Sequence, residues 1–192
     1  HLPQTVASPS ALAYGAPEFR RLGKALGEGS GHPPSVEDLR GSIREYNASR
    51  RLLRKLYQLR REPGRLGLTE CVLLTRAGAG LAASAHAELL DAALGHLETR
   101  PPRRRDTVRV VLEGAFCEQP PLELLQVMED AGCEVVDDDL ALGMRWFQDD
   151  VSEDGDPWEA LSGAYRALSP CTAVKHGQAP RPKALLEKVR RA

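Results

Sequence analysis

Residues 107–139, TVRVVLEGAFCEQPPLELLQVMEDAGCEVVDDD, decide the fold of this chain. A short β-branched run leads to Gly114, a helical segment begins at a doubled proline and stops at Gly132, and a second β-branched run ends in three aspartates. A strand, a helix and a strand joined by short links indicate parallel pairing through a right-handed crossover. We therefore predict an α/β fold containing a parallel-sheet βαβ unit of the Rossmann or flavodoxin-like kind.

A helical region with one long amphipathic helix is predicted ahead of this unit. Ser35 and Asp38 stand at capping-box spacing, and Pro63 with Gly64 closes the segment. Between them an apolar stripe recurs at steps of three and four: Val36, Leu39, Ile43, Tyr46, Leu53 and Tyr57. A helix of about 25 residues exceeds the usual globular length. We expect it to cross a domain or an interface.

Shorter helices are predicted after the long one. Two follow it directly, over 69–75 and 85–97, and the small residues between them permit close backbone approach. After the βαβ unit, Asp156 is a predicted N-cap and Pro157 the first residue of another helix. The sequence PKALLEKVRRA over 182–192 predicts a last helix.

Composition divides the chain into three parts. Residues 1–31 are rich in Pro, Ala, Ser and Gly, which is typical of a connector with one short helix, about 17–26, and little core. A helical region over 32–100 and an incomplete α/β domain over 101–192 follow. Because the sequence lacks an initial methionine and stops directly after a helical pattern, we expect it to belong to a longer protein.

Charge and hydropathy argue against two classes of partner. Charged residues make up 28% of the chain and the formal net charge is −1, which gives no reason to expect nucleic acid or an anionic membrane. No apolar run approaches the roughly 20 residues of a membrane helix, and no signal-peptide pattern occurs. We expect a soluble, cytoplasmic protein. The charged runs over 50–61, 103–105, 137–139 and 149–156 are interpreted as solvated faces.

Three common kinds of site lack support in the sequence. The four cysteines, at 71, 117, 133 and 171, form no Cys-x-x-Cys pair and have no zinc-finger spacing, so free thiols are expected. No spaced glycines follow Gly114, which disfavours a nicotinamide cofactor. No histidine has a serine or cysteine partner that spacing identifies, so a hydrolase triad is unsupported.

The candidate site lies at the carboxyl ends of the two predicted strands, because ligands of open parallel sheets bind there. Cys117 precedes a helix N-terminus, which would lower the pKa of its thiol and favour an anion. Two roles stay open for Cys117: buried packing, or a function at the site. The candidate residues near substrate or cofactor are Glu113, Gly114, Phe116, Cys117, Glu118, Gln119 and Asp138.

Other polar residues have structural alternatives. Of the aspartates at 137–139, one is expected to cap the next helix, one to contact the loop after the first strand and one to be solvated; as a metal site they lack converging ligands. Asn47 inside the long helix predicts a structural hydrogen bond rather than a substrate contact. Cys71 and Cys133 are expected to pack, and the role of Cys171 stays open.

Three stretches, taken in order, resemble a known family. They are VEDLRGSIREYNASRRLLRKLYQLRR, GAFCEQPPLELLQVMEDAGCEVVDDDLALGMRWF and DGDPWEALSGAY. They are similar to the 2-hydroxyacyl-CoA dehydratase family, and most of all to its benzoyl-CoA reductase branch, over about residues 2–189. The order and spacing of all three stretches carry the resemblance.

The resemblance implies a subunit of an oxidoreductase or dehydratase that transforms an acyl-CoA thioester through a radical, as in anaerobic degradation of aromatic compounds. It implies a [4Fe-4S] cluster, a homologous family subunit in a hetero-oligomer and an ATP-hydrolysing iron–sulfur activator. In this family most cluster cysteines lie in an earlier domain and in a later Phe-Cys stretch. This sequence includes neither of the two. We therefore expect the ligands outside this chain, with Cys117 near the cluster or the thioester.

Two functions follow as alternatives. In the first, the chain is the middle portion of such a reductase subunit and is inactive alone. In the second, it is a non-catalytic remnant or interaction module that keeps the scaffold without the cluster. A generic nucleotide-binding domain ranks behind both, because the chain lacks a glycine fingerprint.

Overall fold

The computed structural model describes residues 9–103, 106–113, 120–140, 143–167 and 180–191. These ranges contain helices and two parallel strands, and none of their helices is long and apolar enough to cross a membrane. The elements are α1 Pro9–Ser30, α2 Val36–Arg60, α3 Leu68–Ala77, α4 Ala83–Thr99, β1 Val108–Leu112, α5 Leu122–Asp130, β2 Cys133–Asp138, α6 Met144–Phe147, α7 Pro157–Ala167 and α8 Pro180–Arg191.

Helix α2 is the central element and begins with the predicted capping box. The Asp38 amide donates to Ser35 Oγ at 3.1 Å, and the Ser35 amide donates to the Asp38 carboxylate at 2.9 Å. Two orphan donors of the first turn are thereby satisfied. Helix α2 packs on α3, α4, α6, α7 and β2. The predicted long helix is confirmed.

The buried face of α2 differs from the predicted stripe. Val36 and Tyr46 are 46% and 45% exposed, so their assignment to the stripe is wrong. The apolar contacts concentrate in the second half of the helix, where α4 and α6 cover it. There they form one core cluster whose members are Leu53, Leu56, Tyr57, Leu59, Leu66, Cys71, Leu90, Leu94, Leu97 and Phe147.

The βαβ unit is confirmed. Strands β1 and β2 pair in parallel, with Val108 opposite Cys133 and Leu112 opposite Asp138. Gly132 joins α5 to β2 at φ 87°, a conformation that a residue with a Cβ rarely adopts. The fold is therefore mixed, mainly helical with a small parallel sheet, and is compatible with the α/β class. A larger Rossmann or flavodoxin-like sheet is not established by the described residues.

Helix α1 is longer than the short helix predicted over 17–26, because its packing on α7 supports segments that composition alone marks as loop. Ala16 is fully buried, and the rings of Phe19 and Tyr165 meet edge to face with centroids 6.1 Å apart. The expectation of little core from this segment is confirmed, because neither core cluster of the described residues includes a residue of α1. The division into three parts stays a prediction.

Candidate functional site

The carboxyl ends of the two strands meet, as the sequence predicts. The Asp139 amide donates to the Leu112 carbonyl at 2.9 Å, which places the residue after β2 beside the end of β1. Glu113 follows β1 directly and Asp138 ends β2. The other candidates lie outside the described residues: Gly114, Phe116, Cys117, Glu118, Gln119 and, elsewhere in the chain, Cys171.

All three aspartates at this edge are buried, with 1%, 0% and 2% of their surface exposed in chain order. Each of them faces a cation. Arg60 is the last residue of α2, Arg61 follows α2 directly, and Lys188 belongs to α8. The pairs are Asp137 with Arg61 at 2.7 Å, Asp138 with Arg60 at 2.6 Å and Asp139 with Lys188 at 3.4 Å. The prediction that one aspartate is solvated is therefore wrong, and so is the solvated face predicted for the basic run at Arg60, which is fully buried.

Asp138 forms the centre of a buried polar cluster. Its Oδ2 atom accepts from Arg60 Nη1 at 2.6 Å and from the Tyr57 hydroxyl at 2.7 Å, while Oδ1 accepts from the Leu140 amide at 3.1 Å. Arg60 Nε donates to the Val135 carbonyl. Both carboxylate oxygens are thus engaged by the fold, and the geometry gives Asp138 an anchoring role. Its proximity to substrate stays a prediction.

Burial controls the protonation of this cluster. Burial raises the pKa of the Tyr57 hydroxyl well above its usual value, and the Asp138 carboxylate raises it further. Burial also raises the pKa of the Cys71 thiol to about 11, although the Arg60 guanidinium opposes that shift. For Arg60 burial alone would lower the pKa, but neighbouring negative charge outweighs it and the net pKa is raised. At neutral pH, Tyr57 is a neutral donor and Cys71 a neutral thiol.

The raised pKa of Cys71 predicts a loss of stability at alkaline pH. The unfolded chain releases the thiol proton near pH 9, whereas the folded protein holds it to about pH 11. The stabilisation that the folded protein gains by keeping Cys71 protonated is therefore complete below pH 9 and is lost as pH rises to about 11. Two pKa units correspond to roughly 3 kcal/mol of unfolding free energy. Denaturant titrations from pH 8 to 11 should show a shallower decline for Cys71→Ala than for wild type. Equal slopes would contradict the assignment.

Lys188 closes the edge between the strand ends. Its Nζ lies 3.1 Å from Glu113 Oε1 and 3.4 Å from Asp139 Oδ1, and only 5% of the residue is exposed. Sequence reasoning missed Lys188, Arg60 and Tyr57. A signal did exist for the last two, because Arg60 follows Tyr57 by three residues and therefore lies on the same face of α2.

Asn47 makes the predicted structural bond. Its Nδ2 atom donates to the Val151 carbonyl at 2.8 Å, and its Oδ1 atom accepts from the Val151 amide at 2.9 Å. Asn47 is fully buried. One side chain thus pairs both backbone groups of one residue and ties the segment after α6 to α2.

Ser49 and His86 form a buried pair that the sequence did not reveal. Ser49 Oγ lies 2.8 Å from His86 Nδ1, and His86 Nε2 lies 2.9 Å from the Leu74 carbonyl. Since a carbonyl only accepts, Nε2 carries the proton and Nδ1 accepts from Ser49. The adjoining cavity measures about 20 Å³, room for about one water. The pair therefore joins α2, α3 and α4 rather than forming a hydrolytic site.

The comparison with known proteins agrees with the resemblance. The family model described as 2-hydroxyglutaryl-CoA dehydratase, D-component, matches residues 1–192. The chain belongs to this family. One of the benzoyl-CoA reductase subunits of Thauera aromatica is 38% identical to it over 180 residues, which cover 92% of this chain and 47% of the relative. The dehydratase-family chain thus spans about half the length of that relative, and the resemblance stated from the sequence is confirmed.

The described cysteines of this dehydratase-family chain do not fit an iron–sulfur cluster. Cys71 is a fully buried, protonated thiol, which confirms its predicted packing role. Cys133 is only half-buried and lines a separate cavity of about 310 Å³ beside Gly64 and Glu129, at the amino end of β2. Within the described ranges no three His, Cys, Asp or Glu side chains converge on a metal position. The ligand set expected outside this chain stays a prediction.

Proposed function

We propose that the chain forms part of a subunit of an iron–sulfur acyl-CoA reductase or dehydratase, of the benzoyl-CoA reductase type. The observation that carries the proposal is the 38% identity over 92% of the chain to a protein named as a benzoyl-CoA reductase subunit. The substrate class is an aromatic or 2-hydroxyacyl-CoA thioester. The partners are a homologous family subunit and an ATP-hydrolysing iron–sulfur activator.

We propose that the paired charged residues at the carboxyl ends of the two strands form a rigid, water-poor edge of the substrate site. A reactive intermediate is protected when the surrounding protein excludes water. The pairs of Asp137, Asp138 and Asp139 with their cations are buried at the strand ends, and the Glu113–Lys188 pair lies beside them. We propose that the loop over 114–119, with Cys117, faces the thioester from this edge, in a sheet that continues into a Rossmann or flavodoxin-like domain.

A [4Fe-4S] cluster, when bound, supplies electrons one at a time at a potential set by its burial and hydrogen bonds. We propose that its thiolate ligands lie outside the described residues. A cysteine ligand must give up its proton, and burial holds the pKa of Cys71 at about 11, which opposes that loss.

The test uses the full-length protein, produced anaerobically with its partner subunit and activator. We expect ATP-dependent consumption of benzoyl-CoA or of a 2-hydroxyacyl-CoA, and no turnover when the activator or ATP is left out. Acyl-CoA binding is measured separately by calorimetry. A complex that neither binds nor consumes either class of thioester would contradict the proposal and favour a non-catalytic interaction module.

A further inference from the structure

A groove of about 400 Å³ lies between α7 and the segment over 146–152. Its size falls within the range of about 300–1,000 Å³ that small-molecule sites occupy. Trp146 and Arg50 contribute to its lining. None of its lining residues belongs to the carboxyl edge of the sheet, by which we mean Glu113 and the three aspartates at 137–139 with their cation partners. Apart from Glu159 at the rim, the residues of α7 that line the groove are small: Ala160, Gly163, Ala164 and Ala167.

Within the described residues, the face of α7 towards the groove is unfilled. The opposite face is packed against α1, since a Cβ at Gly15 would lie 2.1 Å from Ser162 Oγ and one at Gly23 would lie 2.2 Å from the Trp158 ring. At Gly163, in contrast, no atom of the described residues lies within 4 Å of the Cβ position. Glycine is unfavourable inside a helix, and packing within the described chain gives no reason for it here.

Arg50 brings to the groove a cation that forms no salt bridge within the described residues. Its neighbours Arg51 and Arg54 form salt bridges with Asp150, whereas Arg50 donates only to Asn47 Oδ1, at 3.1 Å, among the described residues. Burial lowers the pKa of the Arg50 guanidinium; Asp150 opposes this shift and Arg54 adds to it. A partly desolvated guanidinium gains from a charge-assisted hydrogen bond to an anion.

The rim of the groove limits the charge of its ligand. Asp149 and Glu159 are exposed carboxylates that also line it, whereas the third lining carboxylate, Asp150, has both oxygens engaged by Arg51 and Arg54. They repel polyanions such as nucleotides, while one anionic group can still reach Arg50. We infer that the groove binds a small aromatic monoanion, with its ring against Trp146 and the small face of α7 and its anionic group on Arg50.

The probe for this site is 8-anilinonaphthalene-1-sulfonate, an aromatic body with a single anionic group. Titrated into the full-length protein with its partner subunit, it should bind with one-to-one stoichiometry and quench tryptophan fluorescence. Gly163→Leu fills the groove, and Arg50→Gln removes the charge; each should weaken binding tenfold or more, about the effect of one lost charge-assisted bond. Arg50→Lys keeps the charge, and Gly163→Ala leaves most of the space.

The matched control is Gly95→Leu, which adds the same side chain to α4 at another helical glycine that has no described atom within 4 Å of its Cβ position. It should leave binding unchanged, and thermal melting should show that every variant is folded. Unchanged binding in Gly163→Leu or in Arg50→Gln would overturn the inference. Displacement of the probe by pyrophosphate would overturn the proposed charge selectivity. Loss of subunit assembly in Gly163→Leu alone would make the groove a protein interface instead.

Discussion

Replacement of Asp138 by asparagine should destabilise the protein by about 3–5 kcal/mol, the cost of breaking a buried ion pair on one side. Arg60 has no exposed surface and would keep its charge without a counter-ion. One of its donors, Nη2, already lacks a hydrogen-bond partner among the described residues, so the site has little means to compensate. Denaturant unfolding at neutral pH measures the change.

Two further variants separate the ion pair from its surroundings. Adding Arg60→Met to Asp138→Asn removes the orphaned charge, so the double variant should be less destabilised than the sum of the single ones. The control, Glu28→Gln, breaks the exposed Lys24–Glu28 pair, where the side chains are 77% and 68% exposed, and should leave stability nearly unchanged. An Asp138 variant that unfolds like this control would contradict the anchoring role.

Replacement of Gly64 by alanine should cost about 2–4 kcal/mol, because two penalties add. Gly64 has φ +68°, in the left-handed region, and a Cβ there would lie 2.0 Å from the Arg103 carbonyl oxygen. That backbone cannot easily retreat, since the Arg103 amide donates to the Gly64 carbonyl at 2.8 Å. The loop after α2 would have to move away from the segment before β1.

Gly31→Ala is the matched control for this prediction. Gly31 has φ +76°, but no atom of the part of the chain that the structure describes lies within 4 Å of its Cβ position. Its replacement therefore carries only the conformational penalty of roughly 1–2 kcal/mol. If chemical denaturation gives the same loss of unfolding free energy for both variants, the penalty assigned to the close approach of Gly64 to Arg103 is wrong.

Local sequence signals predicted much of the fold. The capping box at Ser35, the Asp156 cap and the Gly132 turn each depend on residues a few positions apart. Hydrophobic periodicity adds the helices and β-branched runs add the strands. These local patterns predict the elements correctly because the tertiary contacts favour the same conformations. Helix α1 shows the limit: it spans Pro9–Ser30 and packs on α7, whereas the sequence predicted only a short helix over about 17–26.

The buried charges at the carboxyl edge could not be predicted in the same way. Arg60 and Asp138 are 78 residues apart in sequence, so no local pattern pairs them. Charged runs are usually solvated, and that general expectation failed because α2 and α8 bring cations to the aspartates. The position of the edge was predictable, since parallel strands bring their carboxyl ends together. Which side chains close it depended on tertiary packing.

The contrast between the described edge and the candidates outside the described residues bears on the proposed enzyme. The described residues supply the anchor at Asp138 and the closing contact at Lys188, while the candidates Cys117, Glu118 and Gln119 lie outside them. Lys188 holds Glu113, the residue before the segment over 114–119, and Arg60 holds Asp138 at the end of the neighbouring strand. If the proposed function holds, the segment over 114–119 is where substitutions should affect turnover without affecting stability.

The central claim is that the chain belongs to an iron–sulfur acyl-CoA enzyme whose cluster ligands lie outside the described residues. The most direct test is an anaerobic iron and sulfide assay with electron paramagnetic resonance on the full-length protein, in wild type and in a Cys71→Ala, Cys133→Ala double variant. We predict a cluster in both, with equal iron content and equal spectra. A wild type without a cluster, or a folded double variant that has lost it, would contradict the claim.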